Sequence, residues 1–303
     1  SLNRPVELGP VESVTLTGIR FGKSAIPATE TDGDALAVDA IAIQFALSEF
    51  LQGGDMGLTV TLIRPHINLD QNQTGDWLDT DLLFTDDSRL QIEELRLRAG
   101  TLVLHPQPHP GVDRAPDRAV LDAHRTIELE NINATLQGVA DMEHLTFRLS
   151  GGIANGGGFA VKGNVSPEDE VVVGNIQARR LAIAPFANLL PDALQVEDGR
   201  VSGQLHLEHR PDAPLALTGV LDVAHLDTWV EGEPNPFTDT FGRFQFQGQE
   251  IEISRGQTRY GKIPFTVEGT VHFQHGIDLR GKVAAVSVSD FMETFDLALP
   301  FPA

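Results

Sequence analysis

Apolar and polar residues alternate with a period of two along most of the chain. Leu58, Val60 and Leu62 point one way, with Thr59 and Thr61 opposite. Ile41, Ile43, Phe45 and Leu47 form a second row of this kind. Phe265, Val267, Val271 and Phe273 form a third, interleaved with Thr266, Glu268, Thr270 and His272. Each strand therefore has one apolar and one wet face. A parallel sheet covered by helices would instead show continuous apolar runs. The pattern predicts an all-β protein built on an elongated, antiparallel-type sheet with one protected face.

Helical periodicity is confined to short pieces. Phe186, Leu189 and Leu190 fall at i, i+3, i+4 within Ala184 to Ala193, and Phe291 and Phe295 are an i, i+4 pair after Ser289, the expected N-cap. Leu47, Phe50 and Leu51 suggest one further turn. These read as connectors or as plugs for sheet ends.

The chain repeats itself. Phe159-Ala160-Val161-Lys162-Gly163-Asn164-Val165 has the pattern apolar-x-apolar-x-Gly-x-apolar. Phe265 to Val271 repeats it around Gly269, Leu215 to Leu221 repeats it around Gly219, and Val14 to Gly18 is a fragment. After two of the copies, Gly174-Asn175-Ile176 precedes Leu181, Ile183 and Phe186, and Gly281-Lys282-Val283 precedes Val286, Val288 and Phe291. A glycine recurring on the apolar side of a strand lets another backbone approach, or lets the sheet bend. Bends at regular intervals suggest a sheet curled into a trough. A sandwich with glycine-softened strands has the same pattern.

Two stretches read as loops. His105 to Ala119 carries Pro106, Pro108, Pro110 and Pro116, and Thr228 to Gly242 carries Pro234 and Pro236. The first divides an N-terminal β segment, 1–104, from a loop or insertion, 105–119, and a repeated β segment, 120–303, which is also readable as one continuous domain.

Composition narrows the chemistry. The formal charge is −21, from 43 acidic and 22 basic residues, so nucleic acid is not an expected partner. There is no Cys, which removes disulfides, thiolate nucleophiles and zinc–cysteine sites. Sixteen Phe against two Trp and one Tyr favour a hydrocarbon partner or an ordinary core over a sugar cleft. No stretch reaches the ~20 apolar residues of a membrane span, and no charged-then-apolar leader follows Ser1. The segment is expected to be soluble.

Motifs for chemistry are sparse. Asp70, Asn72, Thr74, Gly75 and Asp81 occupy positions 1, 3, 5, 6 and 12 of a calcium loop, but position 12 is not Glu and no helix pattern flanks it. A polar hairpin turn is the better reading. His206 with His209 and His272 with His275 are His-x-x-His pairs, yet on a strand i and i+3 point to opposite faces. Gly156-Gly157-Gly158 reads as a turn. No nucleophile elbow, phosphate loop or dinucleotide fingerprint is present. The expectation is a protein with no catalytic residue, no metal and no cofactor.

Three stretches carry a resemblance. In the first, Leu47-Ser48-Glu49-Phe50-Leu51 leads into Leu58-Thr59-Val60-Thr61-Leu62-Ile63-Arg64-Pro65 and then Gly75-Asp76-Trp77-Leu78. The second contains Leu189-Leu190-Pro191 and Asp198-Gly199-Arg200-Val201-Ser202-Gly203. The third runs from Tyr260-Gly261-Lys262-Ile263-Pro264-Phe265 through Gly276-Ile277-Asp278-Leu279-Arg280-Gly281 to Leu299-Pro300. In order and spacing they resemble the TamB/AsmA-like family, the translocation and assembly module inner-membrane components, especially the cyanobacterial and plastid members. The family usually has Asn or a similar residue after the Trp, where Leu78 and Asp79 stand here.

The resemblance implies a β-taco, a half-pipe of sheet with an apolar groove, and an internal segment of a longer protein. It implies a periplasmic segment, or one in the plastid intermembrane space, whose parent is anchored in the inner membrane. That parent would meet an Omp85/TamA-type outer-membrane protein through regions outside this segment. The implied role is intermembrane lipid transport and outer-membrane biogenesis, with phospholipid acyl chains as partners; the plastid relatives support protein import. On this reading the groove is lined in the first half by Ile41, Ile43, Phe45, Leu58, Val60, Leu62, Phe159, Val161 and Val165. In the second half it is lined by Leu205, Leu207, Leu215, Leu217, Leu221, Phe265, Val267, Val271 and Phe273. Two rivals stand beside it: a scaffold or chaperone for outer-membrane protein assembly or envelope translocation through strand pairing, and a closed sandwich with a filled core.

Overall fold

In the computed structural model eighteen strands among the described residues hydrogen-bond into one mixed sheet. The structure describes residues 6–29, 33–46, 56–72, 77, 90–106, 126–139, 143–154, 156–189, 194–211, 213–230, 232–272 and 276–297. Two compact units divide at Gly174 and Asn175.

The first unit holds β1 (Val11–Thr15), β2 (Gly18–Phe21), β3 (Ser24–Ile26), β4 (Ala35–Val38), β5 (Ala40–Phe45) and β6 (Met56–Ile63). It continues with β7 (His66–Asp70), β8 (Leu90–His105), β9 (Ile127–Gln137), β10 (Leu145–Ile153), β11 (Gly158–Ser166) and the start of β12 (Val171–Ala182). β2, β5, β6, β8, β9, β10 and β11 pair in that order. The expectation of an antiparallel sheet needs correction at one strand: β8 runs parallel to both β6 and β7. A parallel pair needs a crossover of about a dozen residues or more, and residues 71–89 lie between β7 and β8.

Breaks in the strands fall at one level. β2 gives way to β3 at Gly22 and Lys23, β5 follows β4 after Asp39, and β6 gives way to β7 at Arg64 and Pro65. β8 runs on unbroken but shifts register between Leu97 and Gly100, at the left-handed Ala99 (φ 51°). β9 does the same at Asn131 (φ 52°), and β10 between Ser150 and Gly152. An extra residue in one strand kinks it and raises the local twist, so this seam of bulges bends the unit across its strands. Neighbouring groups satisfy the backbone released there. Ala99 N–H donates to Asn133 Oδ1 at 3.2 Å, Arg64 N–H to the Arg98 carbonyl at 2.9 Å, and Thr101 N–H to the Pro65 carbonyl at 2.7 Å. Pro65 is fully buried at the bend.

The second unit takes the rest of β12, a 3-10 turn (Ala184–Leu189), β13 (Leu194–Arg210), β14 (Ala213–Val230), β15 (Phe237–Gly248), β16 (Glu250–Tyr260), β17 (Ile263–His272), β18 (Gly276–Val283) and helix α1 (Val288–Thr294). β13 to β18 form an antiparallel meander. A second seam runs through Arg180, Gly199, His225, Asp239 and Arg255, all at positive φ. Arg180 N–H donates to Ser202 Oγ at 2.9 Å, and Asp239 N–H to Asp227 Oδ1 at 2.7 Å.

Several sequence expectations shift. The loop expected over Thr228 to Gly242 is mostly strand, since β14 ends at Val230 and β15 starts at Phe237. The helix expected within Ala184 to Ala193 is a 3-10 turn. α1 is present, but its N-cap is Ser287, whose Oγ accepts from Asp290 N–H at 3.0 Å; Ser289 lies inside the helix. Leu16 and Thr17 form the turn between β1 and β2, so Val14 to Gly18 is a hairpin and not a copy of the repeat. The turn expected at Leu47, Phe50 and Leu51, the stretch 107–119, and Thr74, Gly75 and Asp81 lie outside the described residues.

Candidate functional site: the apolar face of each unit

Because side chains alternate between faces, cross-strand register decides which apolar residues meet. In the first unit two rows cross seven strands. One runs Phe21, Ile41, Leu62, Leu97, Ala134, Leu149, Val161. The other runs Ile19, Ile43, Val60, Leu95, Leu136, Phe147, Gly163. The opposite face carries Arg20, Ala42, Thr61, Arg96, Thr135, Arg148 and Lys162 in one row. Arg96 is raised from its ordinary pKa, chiefly by its hydrogen bond to Glu94 on that face.

The second unit repeats the arrangement. Leu205, Gly219, Phe246, Ile251 and Val271 are successive partners, as are Gly203, Leu221, Phe244, Ile253, Gly269 and Leu279. Leu207 lies opposite Leu217. The other face of the same strands carries Gln204, Val220, Gln245, Glu252, Thr270 and Asp278. Arg243 binds Asp222 through Nε at 2.8 Å and Nη2 at 2.9 Å, and this hydrogen bonding holds the Asp222 carboxyl below its usual range.

The glycines of the repeat sit within these apolar rows, where backbones come closest. A Cβ at Gly163 would strike the Val173 carbonyl, one at Gly219 the Gln204 carbonyl, and one at Gly269 the Asp278 carbonyl. Gly203, Gly219 and Gly269 also hold φ between 138° and 149°. Of the two roles open to these glycines, close backbone approach is the one they fill; the bends lie at the bulges, mostly on non-glycine residues.

Burial differs on the two sides of each seam. The first unit's buried apolar residues include Val38, Ala40, Ile127, Leu129, Ile132 and Ile153, at or beyond the bend. The second unit's include Ala182, Val196 and Ile263 beyond its seam, with Ala178 and Val201 just on the row side of it. The long rows on the other side are only half-buried. Ile41, Ile43, Phe45, Leu58, Val60, Leu62, Phe159, Val161, Val165, Leu205, Leu207, Leu217, Leu221, Val267 and Val271 all retain solvent contact, and Leu215 is 44% exposed. Phe273 lies outside the described residues.

Phe265 stands apart. Its ring is 6.2 Å from Phe237, which is 5.1 Å from Tyr260, and Tyr260 is 6.0 Å from Phe295 on α1. This aromatic group flanks the dry end of the second unit, where Ile263 and Thr294 are buried, while Phe295 itself is 44% exposed. α1 is pinned there by Asn235 Nδ2 donating to the Thr294 carbonyl at 2.6 Å and by Lys262 N–H donating to Thr294 Oγ1 at 3.2 Å. Burial raises the Tyr260 phenol above its ordinary pKa, and its 2.8 Å hydrogen bond to Glu233 adds to the rise.

Several face residues escaped sequence reasoning: Ile19, Phe21, Leu95, Leu97, Leu136, Phe147, Leu149, Phe244, Phe246, Ile251 and Ile253 share the rows above. Phe244-Gln245-Phe246 and Ile251-Glu252-Ile253 alternate plainly, so the signal for the last four was present. His206 lies on β13 with Nδ1 3.3 Å from Asn175 Oδ1, His209 is exposed, and His275 lies outside the described residues. Among the described residues no three His, Cys, Asp or Glu side chains gather as a metal site, and no helix is long and apolar enough to cross a membrane.

Fold and face together define an all-β protein with two-faced sheets whose apolar rows remain accessible. Comparison with known proteins adds one likeness. The chain is similar to a chloroplast protein of Arabidopsis thaliana, Protein TIC236, at 27% identity over 127 residues. The match covers 41% of this chain and 6% of that relative. No protein-family profile matches the chain.

Proposed function

We propose that this chain is a segment of a TamB/AsmA-like envelope protein that carries phospholipid acyl chains between two membranes along its apolar rows. The observation behind this reading is that these rows are continuous over many strands yet only half-buried. In a closed sandwich they would be dry. An acyl chain of about sixteen carbons resists leaving a bilayer by on the order of 12 kcal/mol, about 0.8 per CH₂. An accessible strip of Leu, Ile, Val and Phe offsets much of that, while the head group stays in water. No covalent step is needed, so the proposal includes no enzyme activity. The likeness to the chloroplast protein supports an envelope role; by the same resemblance the parent would be anchored in the inner membrane and meet an Omp85-type partner through other regions.

Mass spectrometry of organic extracts from detergent-free protein tests this. Phospholipid near one mole per mole supports the conduit, and folded protein that neither retains nor takes up phospholipid from vesicles rejects it. The scaffold reading also has an observation in its favour. Among the described pairings β18 has only β17 as neighbour, and Leu279 and Val283 on it are 40% and 63% exposed. Crosslinks from β18 to strands of another protein during its assembly would favour that role.

A further inference from the structure

The polar face of the second unit holds a hollow of ≈ 240 Å³ with a composition unlike its surroundings. Outward positions farther along β15 are Arg243, Gln245 and Gln247, all exposed. Phe241, by contrast, is an aromatic on the outer face. The bulge at Asp239 shifts the register of β15 between Thr238 and Phe241, which sets Phe241 opposite Gln257. His225 then packs against the Phe241 ring edge-on, with centroids 4.5 Å apart, and fixes this wall. Pro264 and Ala284 continue the apolar lining.

The rest of the lining is Phe265 with the neutral polar Gln257, Thr258 and Thr266, the carboxylate Asp239 and two cations, Arg259 and Lys282. Gln257 lies opposite Thr266 on β17, Thr266 opposite Lys282 on β18, and Arg259 opposite Pro264. Gln257, Arg259, Thr266 and Lys282 are all exposed. Neighbouring strands are about 4.8 Å apart and two residues rise about 6.7 Å, so Arg259 on β16 and Lys282 on β18 are separated by about 12 Å of sheet, within reach of two long side chains. Neither makes an ion pair among the described residues. The lining also holds one carboxylate, Asp239, whose Oδ1 is 2.9 Å from His225 Nδ1.

We infer that this hollow binds a small organic phosphate with a flat apolar group. Arg259 and Lys282 supply charge-assisted donors, and the Gln257 amide and Thr266 hydroxyl supply neutral ones, which suits an anion with three free oxygens. Phe241, Pro264 and Ala284 cover the apolar part, in the usual division of a ligand site into apolar walls and a few convergent polar groups. Apart from Phe265, the lining residues lie outside the apolar rows, so the inference does not rest on lipid transport.

Phenyl phosphate is the probe, with inorganic phosphate as comparator, followed by amide chemical shifts of the whole chain. Saturable shifts confined to β15–β18 around Phe241, Gln257, Thr266 and Lys282 are expected, with inorganic phosphate about tenfold weaker because it leaves the aromatic wall uncovered. Arg259→Gln with Lys282→Gln should weaken phenyl phosphate at least tenfold and leave the thermal midpoint unchanged, since both side chains are exposed and make no ion pair among the described residues. Arg148→Gln with Lys162→Gln, exposed cations on the first unit, should change nothing. Equal loss in both pairs, retained binding in the first pair, or shifts spread over all surface cations would overturn the inference.

Discussion

Placing a glutamate at Phe246 and, separately, at Ile263 distinguishes an accessible apolar row from a sealed core within one unit. Phe246 lies between Gly219 and Ile251 in the half-buried row. Ile263 is 4% exposed at the dry end. Fully burying a Phe is worth about 1.5–3 kcal/mol, so losing a half-buried one costs about 1–2. A carboxylate at Phe246 can turn to water, which adds little. At Ile263 the lost packing alone costs about 2–5 kcal/mol, and a charge without a partner adds several more. Circular dichroism should therefore show Phe246→Glu folded with a modestly lower midpoint and Ile263→Glu unfolded or nearly so. If Phe246→Glu displaces about three methylenes of an acyl chain, it removes about 2.4 kcal/mol of lipid contact. That is a drop of roughly fiftyfold in affinity, read as lost phospholipid in the extract. Should Phe246→Glu unfold as fully as Ile263→Glu, the row is a core and the conduit reading fails.

Other predictions follow from local geometry. Gly219→Ala forces a Cβ onto the Gln204 carbonyl at φ 138° and should destabilise the second unit by about 1–3 kcal/mol; Gly174→Ala, where the nearest atom would be 3.6 Å away, should change stability by less than about 1 kcal/mol in urea titrations. Ser202→Ala and Asp227→Ala each remove the acceptor for a bulge N–H, and each should cost about 0.5–1.5 kcal/mol and speed hydrogen exchange at Arg180 or Asp239. The chain has one tyrosine, so phenolate absorbance reports Tyr260 alone. Its midpoint should lie above the ordinary value and fall part of the way back in Glu233→Gln, burial accounting for the remainder. Because the folded-state value is raised, the stability it contributes is present below about pH 10 and is lost as pH rises through the folded midpoint. A Tyr260 midpoint unmoved by Glu233→Gln would show that the hydrogen bond contributes nothing.

Much of the architecture is legible in the sequence. Period-two alternation in Ile41–Phe45, Leu58–Leu62 and Phe265–Val271 identified strands and their apolar faces, because side chains on a pleated strand must alternate. The recurring glycines at 163, 219 and 269 marked rows where backbones approach, because a Cβ there would meet a carbonyl across the strand. Composition ruled out cysteine chemistry in the same direct way.

The tertiary structure decided the rest. Bulges are set by register, and Arg64, Ala99, Asn131, Arg180, His225, Asp239 and Arg255 adopt positive φ without being glycine; a residue type alone does not announce that. Those bulges switch which residues face inward, which is why Phe241 turns outward. β8 lies parallel to β6 and β7 because pairing over long sequence separation depends on where the intervening chain returns, not on local pattern. Alternation also reads the same in a filled core and an open face. Only burial separates dry Ile127, Ile132 and Ile263 from half-buried Leu62, Leu217 and Phe246, because solvent exposure depends on what packs above a side chain, and its own strand does not encode that.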